Sequence, residues 1–245
     1  MSDDREWLAG NVAGVERVGA TVRRPVGPWT PAVHALLEHL APRLPHIPRV
    51  AGFDEKGREV LDFLPGQVID LDEGSLTEPQ IVSLVSWTRD FHIAVSDFSH
   101  PGPWRYFRFP HPTLIGHNDI APYNVCFESD ELVGVFDWDL AGPTTPLNEL
   151  AFIAWNCVPL WSDIGAENAA GRLTLIADSY GGLGALEVLM AVPNRIQRMI
   201  DGIAASAAAG DAGMVNLVVG GEPERDRAAL SGLRGRIPGI LSQLR

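Results

Sequence analysis

Lysine is nearly absent from this chain: Lys56 is the only one in 245 residues, and every other member of its 19 basic residues is an arginine. Chemistry that needs a lysine ammonium therefore has one candidate. Basic charge is scarce altogether, since 31 Asp and Glu outweigh the 19 Lys and Arg to give −12, and this excludes a general nucleic-acid binder. The two cysteines, Cys126 and Cys157, lie in apolar stretches and read as buried thiols rather than a bridge, a metal pair or a nucleophile. The seven histidines are scattered with no H-E-x-x-H or His-x-His pair, and G-x-S-x-G is missing, so neither a His-cluster metallohydrolase nor a serine hydrolase fits. No run approaches the ~20 apolar residues of a membrane span. Residues Met1 to Glu6 are acidic where a signal peptide is basic then apolar, so the expected setting is cytosolic, with no membrane partner. No repeat of solenoid period is visible.

What is present suits a folded protein. Apolar residues make up 46%, enough for a packed core, and the length allows one large domain or two lobes around a cleft. The first third reads as short strands around one helix. Val12 to Val18 and Thr21 to Arg24 are β-prone runs joined by Gly19-Ala20. Pro31 to Leu40 carries Val33, Leu36, Leu37 and Leu40 at helical spacing, with Thr30 as the expected N-cap. Arg49 to Phe53 and Glu59 to Phe63 flank a turn at Asp54-Glu55-Lys56-Gly57. Leu64-Pro65-Gly66 then breaks the strand pattern and divides the chain into 1–64 and 65–245. Helices are expected beyond it, over Thr77 to Phe98, Asn148 to Val158 and most of Ala166 to Arg245, with a strand-rich stretch at Leu114 to Trp138. Nearly all of the net negative charge lies after the break, which favours a cationic or polyhydroxylated ligand there or is a solvated acidic surface.

The stretch richest in chemistry is Leu114 to Val125, followed by Val133 to Pro143. An apolar strand delivers His117 and Asp119 into a Pro-containing loop, Asn124 follows five residues later, and a second apolar strand ends at Asp137. Phosphoryl transfer from a nucleotide needs such a set: a carboxylate to orient and deprotonate the acceptor hydroxyl, and hard oxygens from an Asp and an Asn for Mg²⁺. Asp119 to Asn124 keeps the four-residue gap between a kinase's catalytic Asp and its metal-binding Asn.

His117-Asn118-Asp119-Ile120-Ala121-Pro122-Tyr123-Asn124 resembles the H-G-D-L-x-x-x-N loop of the aminoglycoside phosphotransferase family, and Val135 to Pro143 resembles its I-D-W-x-x-A-x-x-G-P segment. Asn148-Glu149-Leu150-Ala151 is similar to that family's D-L-A helix start, and Phe91-His92 resembles the end of its pre-loop helix. The resemblance implies an α+β, bilobal protein-kinase-like fold: a small β-rich N-lobe, a larger helical C-lobe, and ATP or GTP bound between them. It implies Asp119 as catalytic base, Asn124 and Asp137 as Mg²⁺ ligands, His117 as a structural anchor, and Phe63 and Leu64, at the lobe junction, as nucleotide contacts.

Three departures stand out. Asn118 replaces a Gly, tolerable because Asn enters left-handed backbone conformations readily. Glu149 stands where the family has Asp. Most importantly, Lys56 falls in a predicted turn, so the strand cation of kinases must be an arginine, either Arg23 or Arg24 on opposite strand faces, with Arg24 slightly favoured. The only acid on the following helix is Glu38, beside the apolar stripe and equally readable as solvated. Gly10 and Gly14 form either a phosphate-covering loop or an ordinary turn. Trp155 and Trp161 read as core, and Tyr123 either lines the acceptor cleft or packs under the loop. The sequence thus points to a Mg²⁺-dependent kinase acting on a hydroxyl of a small-molecule acceptor, alternatively to a catalytically weak pseudokinase that binds nucleotide or a protein. Acceptor and oligomeric state stay open.

Overall fold

The computed structural model describes residues 5–7, 14–71, 74–105 and 109–244. Residues 1–64 contribute a five-stranded antiparallel sheet of order β1-β2-β3-β5-β4, formed by β1 (Arg5–Trp7), β2 (Glu16–Val18), β3 (Thr21–Arg24), β4 (Val50–Phe53) and β5 (Glu59–Asp62). The turn between β2 and β3 falls at Gly19-Ala20, and Gly19 has φ +60°. Val12 and Gly10 lie outside the described residues, while Gly14 is a turn residue at φ +95°.

Between β3 and β4 the chain crosses over through α1 (Thr30–Leu40), whose Val33, Leu36, Leu37 and Leu40 are buried as their spacing predicts. Trp29, not Thr30, occupies the N-cap position. Thr30 is the first helical residue, and its hydroxyl accepts the Gly27 N–H at 2.9 Å. The expected acid on this helix, Glu38, is exposed. After β5 the chain leaves the sheet, and Gln67 bridges to Phe127 in the second half of the molecule.

That second half is built on helices. In α2 (Glu78–Ala94) Thr77 and Gln80 cap each other reciprocally, so two of the orphan donors at the helix start are satisfied. Strands β6 (Leu114–Gly116) and β9 (Gly142–Thr144) pair with each other, and β7 (Val125–Glu128) and β8 (Glu131–Val135) form a hairpin turned at Ser129 and Asp130. Helices α3 (Pro146–Cys157), α4 (Ala166–Tyr180), α5 (Ala185–Ala208), α6 (Ala212–Val219) and α7 (Glu222–Leu241) complete the chain. Cys126 and Cys157 are buried free thiols whose pKa values burial pushes up to about 11 and about 12. Trp155 is core, whereas Trp161 sits at the surface. No single described helix is long and apolar enough to cross a membrane.

Two glycines have opposite roles. A Cβ on Gly116 would lie 2.4 Å from Thr144 Cγ2 and 2.6 Å from Glu149 Oε2, so the β6–β9 pair and the buried carboxylate need a glycine there. A Cβ on Gly171, an exposed position of α4, meets nothing within 4 Å. Gly116→Ala is expected to destabilise the protein by about 1–3 kcal/mol through overpacking. Gly171→Ala should stabilise it by about 0.5–1 kcal/mol through helix propensity. Denaturant unfolding of both variants checks the pair, and equal shifts would contradict it.

Candidate active site

The site is assembled by burying the residues on either side of each functional group. His117, fully buried after β6, accepts the Asp119 N–H at Nδ1 (3.2 Å), while its Nε2–H donates to the Phe136 carbonyl (3.0 Å). Those two bonds select one neutral tautomer, and burial lowers the pKa of the ring. The imidazole also lies 4.6 Å from the Trp138 ring, which packs edge-on against Phe91 of α2 at 5.4 Å. Trp138 is 1% exposed. With its neighbour pinned inward, Asp137 takes a left-handed backbone (φ +58°) and its carboxylate emerges half exposed.

Asn118 is left-handed as well (φ +65°), the conformation a glycine adopts easily and Asn tolerates. Its amide group donates to the Leu140 and Gly142 carbonyls (3.1 Å each), its backbone N–H donates to Glu149 Oε1 (2.5 Å), and its carbonyl accepts from Arg195 Nη2 (2.7 Å). Glu149, near the start of α3, is 1% exposed, and its other oxygen accepts from His92 Nε2 at 2.6 Å. His92 in turn shares a 2.8 Å bond with the Tyr180 hydroxyl. The longer glutamate therefore spans α2, α3 and the loop. Burial alone would raise its pKa, but the bond and charge of His92 and the Asn118 N–H hold it below the ordinary carboxylate range.

Asn124, at the end of the 3₁₀ turn Pro122–Asn124, donates from its amide nitrogen to the Asp119 carboxylate (2.8 Å) and carbonyl (2.9 Å). This leaves the side-chain oxygen of Asn124 as its remaining acceptor. Burial and the like charge of Asp137 push the Asp119 carboxyl up to about 8. Two carboxylates beside an amide oxygen form a donor set suited to a hard cation. Among the described residues no group of three or more His, Cys, Asp or Glu could hold a metal ion. A cation here would therefore draw part of its shell from ligand oxygens, as Mg²⁺ commonly does at phosphates.

Arg24 faces the same cleft. Its Nη1 lies 3.2 Å from Asp137, its Nη2 contacts Asp139, and its Nε lies 2.9 Å from Glu59, its cross-strand partner on β5. Burial disfavours the guanidinium charge, but Asp139, Asp137 and Glu59 outweigh it and hold the charge more firmly than normal. Glu59 is tethered by His34 of α1 at 2.8 Å. Helix and strand cation are thus joined through a strand glutamate and a helix histidine, with Glu38 taking no part. Arg23 is opposite Val60 and points to the other face of β3. Lys56 is exposed in the β4–β5 turn. Phe63 and Leu64 lie half-buried where the chain leaves the sheet, the Phe63 ring 3.8 Å from the Arg17 guanidinium carbon. Tyr123 is exposed rather than packed beneath the loop.

Sequence reasoning missed Glu59, His34, Asp139, Arg105 and Arg195. Only Asp139 carried a signal, two residues after Asp137 in a segment already singled out.

The model of the phosphotransferase enzyme family matches residues 104–186, the segment holding the loop and Asp137. A trifolitoxin immunity protein from Rhizobium leguminosarum bv. trifolii is 33% identical over 198 residues, spanning 74% of this chain and 75% of that protein. This chain belongs to the phosphotransferase enzyme family. Solved structures share the kinase-like fold at low identity. The aminoglycoside phosphotransferase APH(2")-IIa in complex with gentamicin superposes with TM-score 0.59 at 14% identity, covering 93% of this chain and 91% of that one. A microcompartment-associated aminopropanol kinase gives 0.59 at 12% over 100% and 95%. A choline/ethanolamine kinase family protein from Mesorhizobium loti gives 0.57 at 14% over 94% and 92%.

The depressed Glu149 carboxyl has a pH consequence. Its stabilising contribution is complete above the ordinary glutamate value of 4.5 and is lost as pH falls below it, because protonation is harder in the folded state than in the unfolded one. Glu149→Gln should cost about 3 kcal/mol at pH 7, since it strips the partner from a buried network. The gap to wild type should close as pH is lowered below the usual glutamate range. Denaturant unfolding across that range checks this, and a gap independent of pH would contradict it.

Proposed function

We propose that the protein is a kinase that moves the γ-phosphoryl group of ATP or GTP to a hydroxyl of a small-molecule acceptor, in the cytoplasm. The observation that carries the reading is the convergence of Asp119, Asn124, Asp137 and Arg24 in one cleft. Lobes divided at 64/65 would grip the nucleotide, with Phe63 and Leu64 along its edge at the junction. Asp119 is the base that orients the acceptor hydroxyl and takes its proton. Its amide clamp from Asn124 fixes the carboxylate's direction.

Asn124 and Asp137 would hold Mg²⁺. When bound, the cation supplies charge stabilisation at the phosphate oxygens. Arg24 would contact the nucleotide phosphates in place of a lysine; a guanidinium offers several donors suited to phosphate oxygens. This cation in the cleft removes the main motive for a pseudokinase reading, the missing lysine.

The immunity protein related to this chain favours one reading of biological role, in which the acceptor hydroxyl belongs to a toxin that phosphorylation disarms. The excess of acidic residues in 65–245 suits a cationic or hydroxyl-rich acceptor. Acceptor-dependent ADP or GDP release across aminoglycosides, amino alcohols and trifolitoxin tests this, and a uniform preference for anionic acceptors would overturn the charge argument.

Base and metal ligand separate by mutation. Asp119→Asn is expected to lower turnover by roughly two to four orders of magnitude with metal–nucleotide affinity nearly intact. Asp137→Asn should instead weaken Mg²⁺-dependent nucleotide binding, and Lys56→Ala should change neither. Steady-state kinetics with calorimetric nucleotide binding checks all three. Wild-type turnover in Asp119→Asn would remove it from the role of base.

A further inference from the structure

The Arg24 guanidinium is enclosed by three carboxylates that differ sharply in exposure. Glu59 is 3% exposed, Asp139 14% and Asp137 49%. An ion pair with a solvated partner is weak and readily exchanged, whereas a buried one is hard to give up. Asp137 is therefore the exchangeable partner, and Nη1 is the donor released toward the cleft when a ligand claims that carboxylate.

The other two carboxylates are themselves tied down. Glu59 is held from α1 by His34 at 2.8 Å. Asp139 is held on its second oxygen by Arg105 Nη1 at 3.2 Å. Arg105 is gripped by both oxygens of Asp211, the N-cap of α6, at 3.0 Å each, and lies over the Trp29 ring at 4.4 Å. The chain Arg24–Asp139–Arg105–Asp211 thus runs from β3 of the sheet to the distal helices.

A lysine presents one nitrogen, and a single carboxylate can place it. A guanidinium is a rigid planar fork, and a single hydrogen bond at Nε leaves the whole plane able to tilt about that bond. Resting on the reading of Arg24 as the phosphate-binding cation, we infer that Asp139 is a positioning residue for it. Asp139 clamps Nη2 so that Nη1 stays aimed at the nucleotide phosphates once Asp137 has turned to the metal. Replacing a lysine by arginine on β3 thereby requires a second acid, two residues after Asp137. By the same argument Arg24→Lys, which restores the residue usual in kinases, impairs this protein.

Titration of the full chain with MgADP and with MgGDP tests the inference through a double-mutant cycle. For whichever nucleotide the wild type binds, Asp139→Asn and Arg24→Ala should each weaken affinity tenfold or more, and the double variant should be no weaker than Arg24→Ala alone. Should Arg24→Ala fail to fold by circular dichroism, Arg24→Lys takes its place in the cycle. It should bind at least fivefold more weakly than wild type and render Asp139→Asn silent. Wild-type affinity in Asp139→Asn, or losses that multiply in the double variant, would overturn the positioning role. Multiplying losses are what a merely structural Asp139 produces. If the wild type binds neither nucleotide, the kinase reading itself falls and this inference falls with it. A wild type that binds, combined with a multiplicative cycle, defeats the positioning role alone.

Discussion

One buried carboxylate holds the loop from His117 to Asn124 in shape. Glu149 presents one oxygen to the backbone N–H of Asn118 and the other to His92, so the start of α3, the end of α2 and the loop before Asp119 share a single charge. Buried and deprived of either partner, that carboxylate would be costly to keep ionised. With both partners in place it is harder to protonate than a free glutamate. Gly116 leaves room for it, and the left-handed Asn118 turns the chain so that its N–H meets it. The position of Asp119 is a consequence of this arrangement, because the next residue after Asn118 has nowhere else to go.

The second organising constraint is electrostatic and concerns Arg24. A guanidinium carries more donors and a longer planar head than an ammonium. The surroundings answer with three acids, two of them largely shielded from water. They are supplied by different elements, β5 and the segment after β8, and are braced by His34 and Arg105. The link between helix and strand passes through Glu59 and His34 rather than through Glu38.

Short-range patterns in the sequence carried over well into structure. The stripe Val33, Leu36, Leu37, Leu40 forms the buried face of α1, and the Gly19-Ala20 and Asp54 to Gly57 signals mark turns. Boundaries were less legible. The helix expected to reach Phe98 ends at Ala94, and Trp161 lies at the surface, because end positions depend on which neighbours cover them rather than on periodicity. The pairing of β6 with β9 had no local signature, since its partners are far apart in the chain and the strands are three residues each.

The sequence by itself determined the run of β2, β3, α1, β4 and β5, the identity of the loop from His117 to Asn124, and Asp137 at the end of an apolar strand. Each of these is written in contiguous residues whose spacing and polarity act locally. With Lys56 its only lysine, the sequence also left arginines as the cations available on the first strands. Only the tertiary structure decided which arginine meets Asp137 and with what company. A linear reading favours Arg24 over Arg23 only slightly, and alternation separates their faces without saying which face meets Asp137. The partners Glu59, Asp137 and Asp139 lie roughly 35 to 115 residues away along the chain. Coulomb interaction depends on distance through space and on shielding from water, and neither quantity exists until β5 pairs with β3 and the cleft closes around them.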